Sequence, residues 1–481
     1  MGLASSRNSI LLPGLSVAFE NTSEKRSLYF FWLAAENDIS RHFGDNFWAR
    51  LVMQTAHAYP VVQYAVHATG VLYETYITRS DGDLLRGLLD SPTSHTAMLR
   101  NKALKLLSDQ LQMGRLPRQV VLMCCLLFVW LELLRNDFEA AITHLKSGLR
   151  ILQDMEQQQQ QPQAHTSASH SGSNPPLKDV DRAISHMFTR LQVQVTIHGC
   201  PGSEVKFMPT TSPFDTSIQQ VPSSFRDVAE ARDSLDNIAT YAFRLIRQKQ
   251  QFEPSQRPEP PISRNSNWPL LIRARDSYLA HLEQWHTALQ KSMHLIPEIK
   301  ASSPAILLLR INYTMAVMVM KNLFTESELA YDRYNVDFDQ LVGLAEAILR
   351  NSRRETFGSA LSLDTGVLPC LFYTSLKCRD TAIRRRALHV LELAPEREGL
   401  WHRDSIIAAA TWKMSIEEQW WSMADPVAQQ LPGSLRIYRE KVTSAGIQKA
   451  RANVRFAGGP PGSSDIEWEV SRLLYRFGDT I

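Results

Sequence analysis

The 481-residue sequence has few cysteines, and none of them are paired at the spacing of a metal-binding knuckle. Five are present, two of them adjacent at Cys124 and Cys125, and the odd number argues against a framework of disulfide bonds. A structural zinc knuckle needs paired thiolates at short spacing, which disfavours that class of site as well. The cysteine content therefore fits a reducing compartment.

Signatures of catalysis, nucleotide binding and membrane insertion are also missing. No GxGxxG, GxxxxGK or GxSxG motif occurs, so the common phosphate-binding loops and the nucleophile elbow are absent. The longest apolar run, Val120 to Leu131, is shorter than the ~20 residues of a bilayer span. A formal net charge of +3 gives little field for steering the chain to nucleic acid. We therefore predict no catalytic, cofactor-binding or metal-binding residue, no enzyme and no membrane partner.

Two local patterns match part of a functional motif but do not have the other residues, or the spacing, that the motif requires. The triplet His402-Arg403-Asp404 matches the start of a kinase catalytic loop, but Ala409 stands where the metal-binding Asn belongs and no DFG follows. His281 and His286 are five residues apart, which places them on different faces of a predicted helix. The triplet is interpreted as chance, and the histidines are interpreted as surface groups or satisfied core groups.

Basic and aromatic clusters each allow a structural and a functional interpretation. The strongest basic patch is Arg379 with the run Arg384–Arg386, and one arginine of such a run must face the protein while others reach solvent. Structural pairing is favoured over contact with an import receptor or DNA. Four tryptophans are interpreted as core aromatics rather than as the lining of a ligand pocket: Trp401, Trp412, Trp420 and Trp421.

Apolar residues recur at intervals of three and four along most of the chain, which predicts an all-α fold. Residues 305–320 are apolar on nearly every side and predict a helix that is buried all round. Residues 184–197 fit a helix or a strand, and a helix is favoured because an isolated strand would lack a pairing partner. The clearest stripe consists of Tyr278, Leu282, Trp285, Leu289 and Met293.

A helical hairpin is predicted from Val120 to Leu152. Its helices run from Val120 to Leu134 and from Phe138 to Leu152, with Asp137 in the turn as the N-cap of the second. Small residues on the second helix, Ala140, Ala141 and Gly148, allow the helices to approach closely. The expected architecture is a large multi-helix domain of stacked helical hairpins.

Composition divides the chain into seven segments. The helical parts are residues 27–155, 180–251 and 270–457. Between and around them, disordered insertions rich in Gln, Ser and Pro are predicted, because such stretches bury too little apolar surface to offset their ordering entropy. These segments are a flexible N-terminal segment 1–26, a low-complexity linker 156–179, a Pro-rich loop 252–269 and a C-terminal segment 458–481.

Three stretches follow one another in an order that is characteristic of one protein family. The first, residues 27–73, has an aromatic start followed by Phe47-Trp48, Pro60, Ala65 and Ala68. The second, His144 to Leu152, matches a helix of pattern HL-sGl-iL. The third consists of Leu363 to Pro369, Leu371-Phe372, Cys378-Arg379-Asp380, Arg384-Arg385, Ala387 and Glu398 to Trp401. Together they resemble the large regulatory domain of fungal zinc-cluster transcription factors.

This resemblance implies a nuclear, all-α regulator of transcription that acts through protein partners, in a family that often controls metabolic or secondary-metabolite gene clusters. Family members usually carry a six-cysteine zinc module ahead of this domain, and residues 1–26 contain no cysteine. DNA contact is therefore expected to be indirect, or to depend on a module that this chain lacks. A homodimer is left open. The alternative is a cytoplasmic adaptor or scaffold that kept the fold without the role in transcription.

The third stretch also leads to predictions about structure. Asp364 and Glu398 are expected to form buried or half-buried ion pairs with Arg379 and the Arg384–Arg386 run. Gly366 and Gly399 fit turn or cap positions where a side chain would clash.

Overall fold

The computed structural model describes residues 22–39, 42–43, 47–78, 95–160, 175–198, 220–252, 268–296, 299–325, 328–355, 361–424, 437–445, 449–456 and 466–469. Helices dominate this part of the chain, which confirms the all-α prediction. They are α1 (Thr22–Ala34), α2 (Met53–Ala58), α3 (Pro60–Thr78), α4 (His95–Gln112), α5 (Arg118–Leu134), α6 (Phe138–Gln160), α7 (Pro175–His198), α8 (Val228–Phe252), α9 (Trp268–Leu295), α10 (Pro304–Lys321), α11 (Asn335–Glu355), α12 (Leu368–Lys377), α13 (Thr381–Glu392) and α14 (Arg403–Ala424). Shorter helical turns occupy Ala35–Ile39, Phe47–Val52 and Glu328–Tyr334.

Two small sheets accompany the helices. In the first, β1 (Leu361–Ser362) pairs in parallel with β2 (Arg397–Glu398), and β2 pairs antiparallel with β3 (Trp401–His402). The second is an antiparallel sheet of β4 (Ile437–Ala445), β5 (Lys449–Phe456) and β6 (Ile466–Glu469) in that order. The prediction of helix up to residue 457 is therefore wrong at its end. Residues 449–456 alternate polar and apolar side chains, which is the two-residue period of a strand.

Several predicted segment boundaries shift, because helices extend into the polar stretches. Helix α6 continues to Gln160 and α7 starts at Pro175, so only residues 161–174 of the predicted linker lie outside the described residues. The N-terminal segment becomes helical at Thr22, and the Pro-rich loop overlaps Phe252 and Trp268, the last residue of α8 and the first of α9. Residues 1–21, 253–267 and most of 458–481 lie outside the described residues.

The first core is built around α5 and confirms the predicted hairpin. Every residue of this helix from Val120 to Leu134 is buried. The Asp137 carboxylate accepts a hydrogen bond of 3.0 Å from the amide of Ala140, as expected of an N-cap. A Cβ on Gly148 would lie 2.3 Å from the ring of Phe188, so the small residue lets α7 pack directly on α6. The helix predicted over residues 184–197 is confirmed as part of α7.

Helix α10 is shared by the two other cores. Leu308 and Ile311 pack into the core of α11–α14, whereas Ile306 and Leu309 pack into the core of α8 and α9. The prediction that this helix is buried all round holds for its first turns only, since residues 312–317 are half-buried. Among the described helices, α10 is also the one long and apolar enough to cross a membrane, and 44% of it is buried within the protein.

A buried histidine makes the stability of the first core depend on pH. The Nδ1 atom of His67 on α3 lies 2.6 Å from the Ser27 hydroxyl on α1. Burial, followed by the nearby His95, lowers the pKa of His67 to about 4. The unfolded chain binds the proton near pH 6.5, so the folded state loses stability as the pH falls from 6.5 towards 4.

We expect His67→Gln to remove about 3 kcal/mol of this pH dependence, the equivalent of the pKa difference between the unfolded and folded states. The measurement is the free energy of unfolding in denaturant between pH 4 and 7.5 for wild type and variant. The difference between the two curves isolates His67 from His144, whose pKa burial also lowers. His389→Gln, at an exposed side chain, serves as control. Parallel curves for wild type and His67→Gln would contradict the assignment.

Candidate functional site

The three cores meet at a polar junction that contains four residues of the third family-like stretch. We define the polar junction as the side chains of Gln194, Arg232, Asp364 and Glu398 with the backbone of Gly366 and Gly399. Gln194 lies on α7, Arg232 on α8, and the other members on the segments that precede α12 and α14. All four side chains are buried.

Gln194 joins two backbone segments at the junction. Its Nε2 donates to the carbonyl of Leu363 at 3.0 Å, and its Oε1 accepts from the amide of Leu400 at 3.3 Å. Gly399 has a φ of +55°, and a Cβ there would lie 1.8 Å from Oε1 of Gln194. Glycine is therefore required at 399 for both conformation and space, which confirms the predicted turn position.

Glu398 caps a helix. Its Oε2 accepts hydrogen bonds from the amides of Gly366 at 3.1 Å and Leu368 at 2.7 Å, where α12 begins. A Cβ on Gly366 would lie 2.2 Å from Oε1 of Glu398, so the prediction of a glycine-dependent turn is confirmed here as well. A buried carboxylate at a helix N-terminus is stabilised by the exposed amides and by the helix dipole.

Asp364 pairs with a residue that is distant in the sequence. Arg232 forms two hydrogen bonds to its carboxylate, of 2.6 and 3.1 Å, and the guanidinium carbon lies 3.9 Å from the centre of the Phe43 ring. Burial alone would raise the pKa of Asp364, but Arg232 and Arg190 together hold it below its usual value. The predicted pairing of Asp364 with the Arg379 and Arg384–Arg386 patch is wrong, because α8 delivers a closer arginine.

A shallow cleft adjoins the junction between α7 and α8. Its lining consists of His186, Thr189, Asp233, Asp236 and Asn237, and it encloses a volume of about 0 Å³. Small-molecule sites usually enclose roughly 300–1,000 Å³, so this cleft does not hold such a ligand.

The charges beside this cleft are already paired with each other. Arg190 binds Asp233 at 2.9 Å and Asp236 at 3.2 Å, while Nδ1 of His186 lies 2.8 Å from Asp233. Burial raises the pKa of Asp236, whereas for Asp233 His186 and Arg190 outweigh burial and lower it. The described part of the chain contains no group of three or more metal-ligating side chains.

The arginine run divides as its sequence predicts. Arg384 is completely buried, with Nη2 at 2.7 Å from the equally buried Glu417 on α14 and Nε donating to the carbonyl of Ser375 at 3.0 Å. Arg385, by contrast, exposes 68% of its side chain and pairs with Glu418 at 3.1 Å. One arginine of the run therefore holds α14 against α12 and α13, and its neighbour faces solvent.

The remaining arginines of this patch bind acidic residues of the preceding elements. Arg386 contacts Glu346 at 2.8 Å and Asp339 at 2.6 Å, both on α11. Arg379 donates through Nε to Asp332 at 2.6 Å. This confirms the preference for structural pairing and leaves the patch with little uncompensated positive charge.

His402 has the surroundings of a helix cap. Its Nδ1 lies 3.4 Å from both the amide and the hydroxyl of Ser405 in the first turn of α14, and its Nε2 lies 3.7 Å from Glu396. The Ser-His-Glu order is that of a catalytic triad, but the 3.7 Å separation exceeds a hydrogen bond, and the Ser405 amide shares the same ring nitrogen.

The remaining histidine and tryptophan candidates from the sequence form contacts within the fold. His281 binds the carbonyl of Ser277 at 2.7 Å, and His286 stacks on Tyr313 with ring centres 4.6 Å apart. Trp401 and Trp412 are buried, as predicted for core aromatics. The side chains of Trp420 and Trp421 lie outside the described residues.

The described cysteines are buried thiols. Burial raises the pKa of Cys125 to about 12 and raises the pKa values of Cys124 and Cys370 as well. Protonated thiols are poor nucleophiles and poor metal ligands. Cys200 lies outside the described residues.

The sequence indicated Gly366 and Gly399 but gave no role to Gln194 or Arg232. Gln194 follows Leu191 and precedes Val195 on the apolar side of α7, and a lone amide on an apolar stripe signals a buried polar contact. Arg232 lies next to Asp233 and near Asp236 in the sequence. This spacing is also that of an ordinary cluster of charges on a helix surface, so it does not indicate a buried arginine.

No protein-family model, no curated protein and no solved structure matches this chain. The likeness to fungal zinc-cluster regulators rests on the three stretches alone.

Removing one partner of the buried Arg232–Asp364 pair is expected to destabilise the fold by about 3–5 kcal/mol, because a buried charge then lacks its counter-ion. Arg232→Met and Asp364→Leu test the partners singly, and the double variant is expected to lose less than the sum. The measurement is a double-mutant cycle of unfolding free energies in denaturant. The exposed pair Arg385 and Glu418, changed to Ala, serves as control with a coupling near zero. Strict additivity at Arg232 and Asp364 would contradict the pairing.

Arg384→Ala is expected to cost about 3–5 kcal/mol, since it removes the guanidinium that faces the buried Glu417. Arg385→Ala makes the same chemical change at the adjacent position and should leave the denaturation midpoint close to wild type. Chemical denaturation followed by far-UV circular dichroism measures both. Equal losses in the two variants would show that the run does not divide as described.

Proposed function

We propose that this chain is a regulator of transcription that acts in the nucleus through protein partners bound by its helical domain. Its target genes would belong to a metabolic or secondary-metabolite cluster, as for the family it resembles. DNA contact would be indirect, or would come from a zinc-cluster module that residues 1–26 do not contain.

One observation carries this proposal. Residues of the third family-like stretch converge at the polar junction, where Asp364, Gly366, Glu398 and Gly399 hold the three cores together. A sequence pattern that marks a domain family is expected to consist of such fold-determining residues.

The chemistry of the described residues supports binding rather than reaction. The cleft beside the junction is small and its carboxylates already face arginine and histidine. Burial raises the pKa of the thiols of Cys124, Cys125 and Cys370, and His402 caps a helix. We therefore infer that the protein acts by binding partner proteins on its helical surfaces, which are known to recognise amphipathic segments.

The proposal is tested by tethering the whole chain to a foreign DNA-binding domain and measuring a reporter gene. We expect transcription to change in either direction relative to the DNA-binding domain alone. A fusion carrying Asp364→Leu is the matched control, because disruption of the junction should abolish the effect. An unchanged reporter, with the wild-type fusion present at normal level in the nucleus, would overturn the proposal.

A cytoplasmic adaptor is the second candidate, and the pairing of the arginine patch favours it. Arg379, Arg385 and Arg386 are bound to carboxylates, so this patch offers little to an import receptor. Imaging of the tagged chain separates the candidates. Exclusion from the nucleus that is unaltered in Arg385→Ala/Arg386→Ala favours the adaptor. Arg384 is kept in this test because its removal would disturb folding.

A further inference from the structure

Arg397 on β2 differs from the other buried arginines of the described chain. Three arginines are buried within the described ranges, namely Arg232, Arg384 and Arg397. The first two lie 2.6 and 2.7 Å from buried carboxylates. Arg397 forms no ion pair with any described residue, and its Nη2 donates to the side-chain oxygen of Asn136, which is an uncharged acceptor. One buried cation of the described fold therefore lacks a counter-ion at contact distance.

The acidic residue next to Arg397 in the sequence directs its carboxylate to other groups. Oε2 of Glu396 accepts a hydrogen bond of 2.9 Å from the hydroxyl of Tyr76, and Oε1 lies 3.7 Å from Nε2 of His402. Burial lowers the pKa of the Arg397 guanidinium, and the opposing effects of Tyr76 and Glu396 do not restore it. The charged form of Arg397 is thus disfavoured by its surroundings, and an anion in contact with it would reverse this.

Asn136 is held in place by the turn that ends α5. Its φ is +61°, its amide donates to the carbonyl of Leu133 at 3.1 Å, and the amide of Asp137 donates to the carbonyl of Glu132 at 2.9 Å. These two bonds close the helix end in a Schellman motif. Asn136 is exposed, whereas Arg397 is 7% exposed, so the guanidinium lies just below the protein surface.

The guanidinium is positioned from the other side by the small sheet. Strand β2 lies between β1 and β3, with Arg397 opposite Leu361 on one side and His402 on the other. Arginine has five N–H donors in a planar fork, and the contact to Asn136 uses one of them. At least one edge of the fork therefore remains for an acceptor with two oxygens, and both elements that fix it are rigid.

The chemistry of this place selects a small oxyanion. Carboxylate and phosphate groups match the guanidinium fork with two parallel hydrogen bonds, and the amide nitrogen of Asn136 is a further donor beside it. A polymer such as nucleic acid needs cations that project into solvent, whereas Arg397 is almost completely covered. A metal cation would be repelled by the guanidinium charge.

We propose that Arg397 and Asn136 form a binding site for a small oxyanion, carrying a phosphate or a carboxylate group, at the contact between the α5–α6 turn and β2. The bound anion supplies the counter-ion that the described fold does not place there. It also links the hairpin of the first core to the segment between α13 and α14. This goes beyond the proposed function and does not depend on it.

The test measures thermal unfolding of the full chain by far-UV circular dichroism in potassium phosphate and in potassium chloride at equal ionic strength and pH. We use phosphate below about 20 mM, where exclusion of the salt from the protein surface contributes little. Stabilisation should saturate, and at ten times Kd the ratio of folded to unfolded chain should rise about elevenfold. Sulfate and acetate are run in parallel, because acetate alone identifies a carboxylate site and the tetrahedral anions alone a phosphate site.

Three variants assign the effect to this place. Arg397→Met removes the guanidinium and should abolish the stabilisation, whereas Arg397→Lys keeps the charge without the fork and should weaken the affinity severalfold. Asn136→Gly suits the positive φ and should also weaken it. Arg385→Met removes an exposed arginine and is expected to respond like wild type.

Equal stabilisation of wild type and Arg397→Met would overturn the proposal, since it indicates a general salt effect. So would the absence of stabilisation by phosphate, sulfate and acetate alike. Titration calorimetry with phosphate should give about one site per chain, and clearly more sites would indicate diffuse surface binding instead. If Arg397→Met does not fold, Arg397→Lys and Asn136→Gly decide the outcome, and an affinity equal to wild type in both would contradict the site.

Discussion

The burial of a charge pair between Arg232 and Asp364 constrains the rest of this fold. Two charges removed from water are tolerated only when they face each other at short distance and their hydrogen bonds are satisfied. Here the bidentate contact is 2.6 and 3.1 Å, and Phe43 covers the guanidinium. Because α8 carries one partner and the segment before α12 carries the other, any relative shift of these elements would expose an uncompensated charge. The pair therefore fixes how the cores are arranged, more than it adds to their stability.

The same junction also supplies hydrogen-bond partners for buried backbone that lies outside regular secondary structure. Segments outside helices and sheets leave amide and carbonyl groups that must find partners within the protein. Gln194 binds a carbonyl on one segment and an amide on the other, and Glu398 accepts two amides at the start of α12. The space for both side chains exists because positions 366 and 399 are glycine. The polar junction thus combines hydrogen-bonded backbone groups, a buried charge pair and close packing in one place.

The features that could be predicted from the sequence are those that depend on the residues within a few positions of each other. Apolar stripes located the helices, and the cap at Asp137 and the division of Arg384 from Arg385 followed from helix geometry. Arg232 and Asp364 are 132 residues apart in the sequence. Their pairing depends on how α8 packs against the segment before α12, and no local sequence pattern encodes that packing. The strand Lys449–Phe456 carries a local signal in its alternation, but the helical periodicity of the preceding residues favours a helix there. Gln194 had a weak signal, since an amide on an apolar stripe implies a partner without naming it.

Positive charge in this helical domain serves mainly to join its elements. On α11–α14 each described arginine of the run faces a carboxylate, so this part presents little net field and serves the packing of helices. On α4 positive charge is engaged as well, since Arg100 is bound to the buried Glu132 at 2.5 Å and the Nζ atom of Lys102 lies 4.1 Å from the centre of the Tyr64 ring on α3. Such contacts fix the elements that carry them, because a shift of either element would separate the charge from its partner.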